Sequence, residues 1–132
     1  AIPKDYISEA GQRLRTYKRI SSAAEEELIV IHTEIEDRYG RIPRSVETLF
    51  EYARLRRLAE SMAIVSIDKS AGQVAIKLGD SPRVSPEKLM AFLDVNTDAS
   101  FSPTGILRVN IVTADPIKTA REALLSVDSR SA

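Results

Sequence analysis

The period of the hydrophobic pattern changes near residue 63, and this change constrains the fold more than any other feature of the sequence. Before it, apolar residues recur every three or four positions, as on one face of an α-helix. After it, Val74, Ile76 and Leu78 alternate with polar or small residues, and a second alternating run covers 106–112. Such alternation is typical of half-buried strands. The chain is therefore predicted to be an α+β protein.

Two of three helices in the first half are predicted from apolar faces. The first follows Ile2 and Pro3, and its predicted face consists of Ile7, Ala10, Leu14 and Tyr17. The third begins at Pro43, runs to about Met62 and carries two stripes: Val46, Leu49, Phe50 and Ala53, then Leu55, Leu58, Ala59 and Met62. Because the two stripes are rotated around the axis, we expect this helix to be covered on two sides.

The second helix is predicted from signals at both ends. Ser22 stands three residues before Glu25, which predicts an N-terminal capping box and a helix that starts near Ala23. Glu25, Glu26 and Glu27 would lie in its first turn, where the positive end of the helix dipole stabilises acidic side chains. Gly40 is predicted to end the helix, since glycine adopts positive φ at low cost. The predicted buried stripe is Leu28, Ile31 and Ile35.

The second half is predicted to form a small, mostly antiparallel sheet of about four strands with two further helices. A turn at Lys69–Gly72 should join strands 64–68 and 73–78 into a hairpin, and a turn at 102–105 should precede another strand. Ser85-Pro86 and Asp115-Pro116 should begin helices. Their inward residues are predicted to be Leu89, Met90 and Leu93, then Ile117, Ala120, Leu124 and Val127. The predicted order is ααα-ββ-α-ββ-α, in a single domain over 1–132.

The residue types present exclude several kinds of chemistry. Cysteine is absent and His32 is the one histidine, so thiolate metal sites and histidine-based triads are nearly excluded. The five glycines are scattered, and no phosphate-binding loop can be written from them. We therefore expect no metal, no cofactor and no ATP site in this chain. Apolar runs are too short to span a membrane and no signal peptide is evident, so a cytoplasmic location is expected.

Acidic residues could in principle supply paired catalytic carboxylates. Glu25–Glu27, Glu34, Glu36 and Asp37 lie on one helix with no glycine-rich turn nearby, so a solvated surface is favoured over catalysis. His32 falls at the margin of the apolar stripe, where a packed or half-exposed imidazole is favoured over a ligand. We therefore predict no catalytic residue in the chain.

A basic cluster in the first helix is the first candidate surface. Its members, Arg13, Arg15, Lys18 and Arg19, are candidate contacts for phosphate or for an acidic partner. The competing interpretation, which we favour, is that they pair with Glu25–Glu27 and leave no free patch. The net charge of the chain is zero, so a nucleic-acid-binding module is not indicated by bulk charge.

One face of the second helix is the second candidate surface. At about 100° per residue, Glu27, Val30, Glu34 and Asp37 gather away from the buried stripe, with Arg38 at its edge. Charges around an apolar residue suit a specific polar docking surface, because the rim sets the register and the central contact excludes water. A merely solvated face is about equally compatible with the pattern.

The order of residues over roughly the first 60 positions resembles the C-terminal domain of bacterial transcription-repair coupling factors. The resemblance follows "IPxxY" from Ile2, "RLxxYKRI" from Arg13 and "ExxDRYGxxP" from Glu34. It also includes Glu27-Leu28, Leu49, Leu55-Arg56 and Ala59. One departure is "MAI" at 62–64, where the family usually has Leu-Gly-Ile.

The resemblance implies a non-catalytic regulatory domain of a larger protein. The parent would be an ATP-dependent DNA translocase that removes stalled RNA polymerase and recruits the excision-repair protein UvrA, with its ATP and Mg²⁺ sites in other domains. In this family the C-terminal domain packs on the N-terminal UvrA-binding module and keeps it autoinhibited. The implied contact residues are Glu34, Asp37 and Arg38. The alternative is a nucleic-acid-binding accessory domain that uses the basic face of the first helix on double-stranded DNA.

Overall fold

The computed structural model describes residues 2–130, which form five helices and a four-stranded antiparallel sheet. The elements are α1 (Ala10–Ser22), α2 (Glu25–Tyr39), α3 (Arg44–Ser61), β1 (Ile64–Ser70), β2 (Gln73–Leu78), α4 (Pro86–Val95), β3 (Ser100–Phe101), β4 (Ile106–Asn110) and α5 (Pro116–Val127). This order confirms the predicted α+β class and the order ααα-ββ-α-ββ-α.

The chain divides into two compact units, Ala1–Arg57 and Leu58–Ala132, with the boundary inside α3. Both predicted stripes of α3 are largely buried: Val46 and Phe50 are fully enclosed, and Leu55 and Ala59 are at most 8% exposed. Leu49 and Leu58 are only partly buried, and Met62, which is fully buried, follows the last residue of the helix. The covering of α3 on two sides is therefore confirmed. The assignment of 1–132 to a single domain stays a prediction.

The core of the first unit contains the predicted stripe of α2. Leu28, Ile31 and Ile35 are at most 4% exposed and form one cluster with Val46 and Phe50 of α3. These aliphatic and aromatic side chains account for much of the stability, at about 1.5–3 kcal/mol for each large side chain that leaves water.

The predicted apolar face of α1 is wrong. Leu14 is 55% exposed and Tyr17 is 47% exposed, whereas Ile7 and Ile20 are buried. The reason is that Ile7 precedes the helix, in a separate turn where its N–H donates to the Pro3 carbonyl. A spacing that crosses a break in the helix does not define one face.

The predicted capping box at Ser22 is also wrong. α1 continues through Ser22, whose hydroxyl donates to the Lys18 carbonyl of the same helix at 2.8 Å. Ala24 is the N-terminal cap of α2, and its N–H points at the Glu27 carboxylate at 3.5 Å. The acidic first turn is present as predicted, with the cap two residues later.

Gly40 ends α2 as predicted. Its N–H donates to the Glu36 carbonyl at 2.9 Å, and its φ of 90° and ψ of −167° lie in a region that is open essentially only to glycine. Its carbonyl accepts from the Tyr6 hydroxyl at 2.7 Å. Tyr6 thus ties the segment before α1 to the end of α2.

The second unit is built on the predicted hairpin. β1 and β2 pair antiparallel around Ala71 and Gly72, which have φ of 50° and 77°. Two successive residues with positive φ suit a two-residue hairpin turn, because their twist matches that of the strands. The strand order is β1-β2-β4-β3, and Val74 and Leu107 are among the buried residues of its inner face.

Both later helices begin as predicted. The Ser85 side chain accepts from the Lys88 N–H at the start of α4, and the Asp115 side chain accepts from the Lys118 N–H at the start of α5. α5 buries Ala120, Leu124 and Val127, as predicted, and Leu89 of α4 is buried. The inward placement of Met90 is wrong, since it is 63% exposed. In α4 it lies one residue, about 100°, from Leu89.

A group of hydrogen bonds around Asp128, which we call the Asp128 clasp, connects parts of the second unit. The buried Asp128 carboxylate accepts three bonds from Arg130, at 2.9, 3.1 and 3.0 Å. The Arg130 guanidinium also donates to the Ser61 hydroxyl at 2.8 Å, and Lys88 donates to the Asp128 carbonyl at 3.0 Å. Hydrogen bonds from Arg130 lower the pKa of Asp128 below its ordinary value.

Replacement of Gly40 tests the positive φ at the end of α2. Nothing lies within 4 Å of an added Cβ, so Gly40→Ala is strained by its backbone alone and should destabilise the protein by about 1–3 kcal/mol. Gly11→Ala is the control, because Gly11 lies within α1 with room for a methyl group. Because Gly11 is the second residue of α1, the alanine should stabilise by at most about 0.5–1 kcal/mol, the value for a helix interior. Urea unfolding of both variants measures the difference, and equal effects would contradict the assignment.

The Asp128 clasp predicts a pH-dependent contribution to stability. Because the folded pKa is lowered, the stabilisation is present above the unfolded pKa of about 3.9 and is lost as pH falls through the folded value. Asp128→Asn should therefore lower Tm by a constant amount from pH 7 to 5, and by less below about pH 4. The control is Asp94→Asn, which changes an exposed residue of α4. A Tm difference that did not shrink in acid would exclude this linkage.

Candidate functional site

The five residues predicted to form the docking face of α2 are all exposed. We call Glu27, Val30, Glu34, Asp37 and Arg38 the α2 face. Val30 is 56% exposed although it is aliphatic. The face lies outward because the opposite stripe of α2 is buried in the core. The amphipathic pattern therefore placed these residues correctly at the surface.

The charged members of the α2 face differ in what they contact. Glu34 accepts from Arg19 of α1 at 3.0 Å, and each side chain of the pair is about half exposed. Asp37 makes no side-chain hydrogen bond or ion pair with any other residue of the described range 2–130. The guanidinium of Arg38 lies 5.2 Å from the ring centre of Tyr39, in a cation–π contact. Glu27 accepts from the Ala24 N–H at 3.5 Å. Two of the three carboxylates of the face are thus engaged within the domain, and that of Asp37 is available.

The basic residues of α1 do not share one face. Arg13 is half-buried and donates to the carbonyls of Ile7 and Ser8 at 2.8 and 2.9 Å. Arg15 lies about 160° around the helix from Arg13, and its guanidinium is 3.7 Å from the Glu9 carboxylate. Arg13 therefore has a structural role that the sequence did not indicate.

The expected pairing of the basic residues with Glu25–Glu27 is wrong. Arg19 instead lies beside Glu34, more than two turns into α2, so the basic end of α1 faces the middle of that helix. Lys18 is exposed and has no ion pair among residues 2–130. Charge proximity along the chain did not predict the partner, because the packing register of the two helices decides it.

A cleft between α1 and α2 joins part of both candidate surfaces. This α1–α2 cleft has a volume of about 140 Å³. Its lining residues are Gln12, Arg15, Thr16, Arg19, Glu34, Ile35, Arg38 and Tyr39. Three guanidinium groups and one carboxylate therefore surround a small space. The sequence showed polar residues at helical spacing on α1. It did not show the register in which α1 and α2 pack, which places those residues opposite Glu34 and Arg38.

Tyr6 supports the end of α2 that carries Arg38. Its ring centre is 5.8 Å from that of Tyr39, and its hydroxyl donates to Gly40 as described. Burial, with a smaller contribution from the charge of Glu36, raises the pKa of Tyr6. The tyrosine therefore stays neutral and can donate throughout the physiological range. Nothing in its own pattern had marked it as a support for the α2 face.

His32 is a packed, half-buried imidazole, as predicted. Its Nε2 contacts the Glu47 carboxylate, and its ring meets that of Phe50 edge to face at 5.0 Å. Within residues 2–130, no three histidine, aspartate or glutamate side chains are grouped so that they could hold a metal ion. None of the helices in that range has the length and apolar character required to cross a membrane.

Comparisons with known proteins agree with the resemblance over the first part of the chain. Residues 1–89 match the sequence profile of the TRCF domain. The chain is 36% identical over 93 residues to the transcription-repair-coupling factor of Escherichia coli (strain K12), and 34% identical over 91 residues to that of Bacillus subtilis (strain 168). These matches cover 70% and 67% of this chain and 8% of each relative, so the chain spans a small part of their length.

The fold extends the likeness beyond the matched sequence. The crystal structure of the C-terminal domain of a transcription-repair coupling factor superposes with a TM-score of 0.75, over 96% of this chain and 87% of that one, at 16% identity. At that identity the superposition shows a shared fold, whereas the sequence matches show the family. On those matches, this chain belongs to the TRCF domain family of the transcription-repair coupling factors.

Proposed function

We propose that the chain is a regulatory domain that docks on the N-terminal UvrA-binding module of its own polypeptide and keeps that module autoinhibited. The observation that carries the proposal is the α2 face, where Asp37 and Arg38 are exposed and unpaired by other charges within residues 2–130. Family membership supports a role within a transcription-repair coupling factor.

Four residues of the α2 face have distinct parts in the proposed contact. Glu34 and Asp37 accept hydrogen bonds from basic side chains of the module, and Arg38 donates to an acid there. Stacking on Tyr39 restricts the guanidinium of Arg38, so less entropy is lost when it binds. Val30 supplies the apolar contact that excludes water between these charges.

The polar character of the face suits a contact that must open. Exposed ion pairs contribute about 0.2–1 kcal/mol each, so three of them add roughly 0.6–3 kcal/mol. A tether supplies an effective concentration of around 1 mM, so a Kd of about 10 µM would keep about 99% of molecules closed. That Kd corresponds to roughly 6.8 kcal/mol, so the ion pairs supply only part of it and the rest comes from contacts such as that of Val30. A contact of this strength holds the closed state and can still be displaced by a competing partner.

The function of the whole protein is proposed from the family. The parent would be an ATP-dependent DNA translocase that removes stalled RNA polymerase from double-stranded DNA and recruits UvrA in the cytoplasm. Its ATP and Mg²⁺ would bind in other domains, and this domain would act without chemistry of its own. The relatives that support this role are about twelve times longer than the matched segment, at 8% coverage.

The alternative of a nucleic-acid-binding accessory domain is less well supported by the geometry. A phosphate-binding surface needs several free cations on one side. Arg13 is held by backbone carbonyls and Arg19 by Glu34, which leaves Lys18 and the partly engaged Arg15. Binding through these residues would fall steeply with salt, whereas docking through a few exposed pairs would fall less.

Calorimetric titration of this chain with the separately expressed N-terminal module of its parent tests the docking proposal. We expect saturable one-to-one binding. Combined Glu34→Ala, Asp37→Ala and Arg38→Ala should raise Kd by about 3-fold to 160-fold, because three exposed pairs are lost. The matched control is Asp94→Ala, Arg121→Ala and Glu122→Ala, which removes two acids and one arginine from exposed helix positions elsewhere.

The two triple variants separate the possible outcomes. Equal affinity of the α2-face variant and the control would reject the assignment of the site. The docking proposal itself would be rejected by two negative results together: no binding to the isolated module, and no contact when the module is fused to this chain through a long linker.

A further inference from the structure

We propose that the α1–α2 cleft is a socket for a single carboxylate side chain, presented by an acidic peptide segment of a partner. The site overlaps the α2 face at Glu34 and Arg38, and it uses Arg15 and Arg19 of α1 together with Arg38. It does not require that the segment belong to the same polypeptide, so the inference goes beyond the docking function proposed above.

The charge of the lining favours an anion. Three arginines and one glutamate line the cleft, so its formal charge is +2. Guanidinium groups offer paired N–H donors that match the two oxygens of a carboxylate. The Thr16 hydroxyl and the Gln12 amide are further donors on the α1 side.

The size of the cleft favours a small group. Its volume is about 140 Å³. That space accepts a carboxylate with the adjoining methylene groups. Sites for nucleotides and other ligands of that size are typically about 300–1,000 Å³. Ile35 and Tyr39 provide apolar surface for the methylene groups of an incoming side chain.

The acids around the cleft favour an isolated carboxylate over a polyanion. Glu9 lies 3.7 Å from Arg15, and Asp37 is the neighbour of Arg38 on α2. A nucleic-acid strand would bring several phosphates against these carboxylates, whereas one acidic side chain brings a single negative charge. Like-charge contacts at the rim discriminate against the polyanion.

The Glu34 carboxylate competes with a partner carboxylate for Arg19. It occupies Arg19 at 3.0 Å, as a partner carboxylate would. Neutralising it as Glu34→Gln should free Arg19 and raise the affinity for an acidic peptide by about 1.5-fold to 5-fold, the range expected for loss of an exposed ion pair. Docking through the α2 face predicts the opposite sign for loss of Glu34, so the two proposals can fail separately.

Nuclear magnetic resonance of the arginine Nε–H groups tests the socket directly. The probe is the capped tripeptide Ac-Ala-Glu-Ala-NH2, and Ac-Ala-Gln-Ala-NH2 is its neutral match. We expect saturable shifts of Arg19 and Arg38 with the glutamate peptide, at a Kd on the order of millimolar, and none with the glutamine peptide. Arg19→Gln combined with Arg38→Gln should abolish binding, and the exposed Arg121→Gln of α5 should leave it unchanged.

Three results would overturn the proposal. The first is equal response to both peptides. The second is tighter binding of inorganic phosphate or of a short single-stranded oligonucleotide, which would assign the cleft to phosphate. The third is a decrease in affinity for the glutamate peptide on Glu34→Gln. Circular dichroism of each variant confirms that the helices remain formed.

Discussion

Burial of the apolar stripe of α2 against α3 is the constraint on which the candidate surfaces depend. Leu28, Ile31 and Ile35 share a core with Val46 and Phe50, and this packing fixes the rotation of α2 about its axis. With the rotation fixed, Asp37 and Val30 must face outward. A docking surface made of charged side chains is precise only when the helix beneath it cannot turn.

The ends of α2 are held by different means. Acidic residues and the Ala24 N–H secure its start, while Gly40 and Tyr6 secure its finish. The Tyr6 hydroxyl bond spans 34 residues of sequence, so it joins the segment before α1 directly to the end of α2. Arg38 lies in the last turn, where this support keeps Tyr39 in place beneath its guanidinium.

The pair of Arg19 and Glu34 links the two proposed contacts. The Glu34 carboxylate can accept from Arg19 within the domain or from a basic group of a partner. When it accepts from the partner, the Arg19 guanidinium is released for another contact. Because the pair is about half exposed, neither state is strongly favoured. This balance suits a surface that exchanges partners, and it makes Glu34 the residue whose substitution has opposite expected effects at the two sites.

The sequence by itself determined the element types and order, the exposure of the α2 face and the ends at Gly40, Ser85 and Asp115, because these depend on local periodicity and on the chemistry of caps. Tertiary structure alone decided that Leu14 and Tyr17 of α1 are exposed, that Arg19 meets Glu34 rather than Glu25–Glu27, and that a cleft forms between the helices. These features depend on where one helix breaks and on the register in which two helices pack. Neither is encoded in the spacing of residues along a single element.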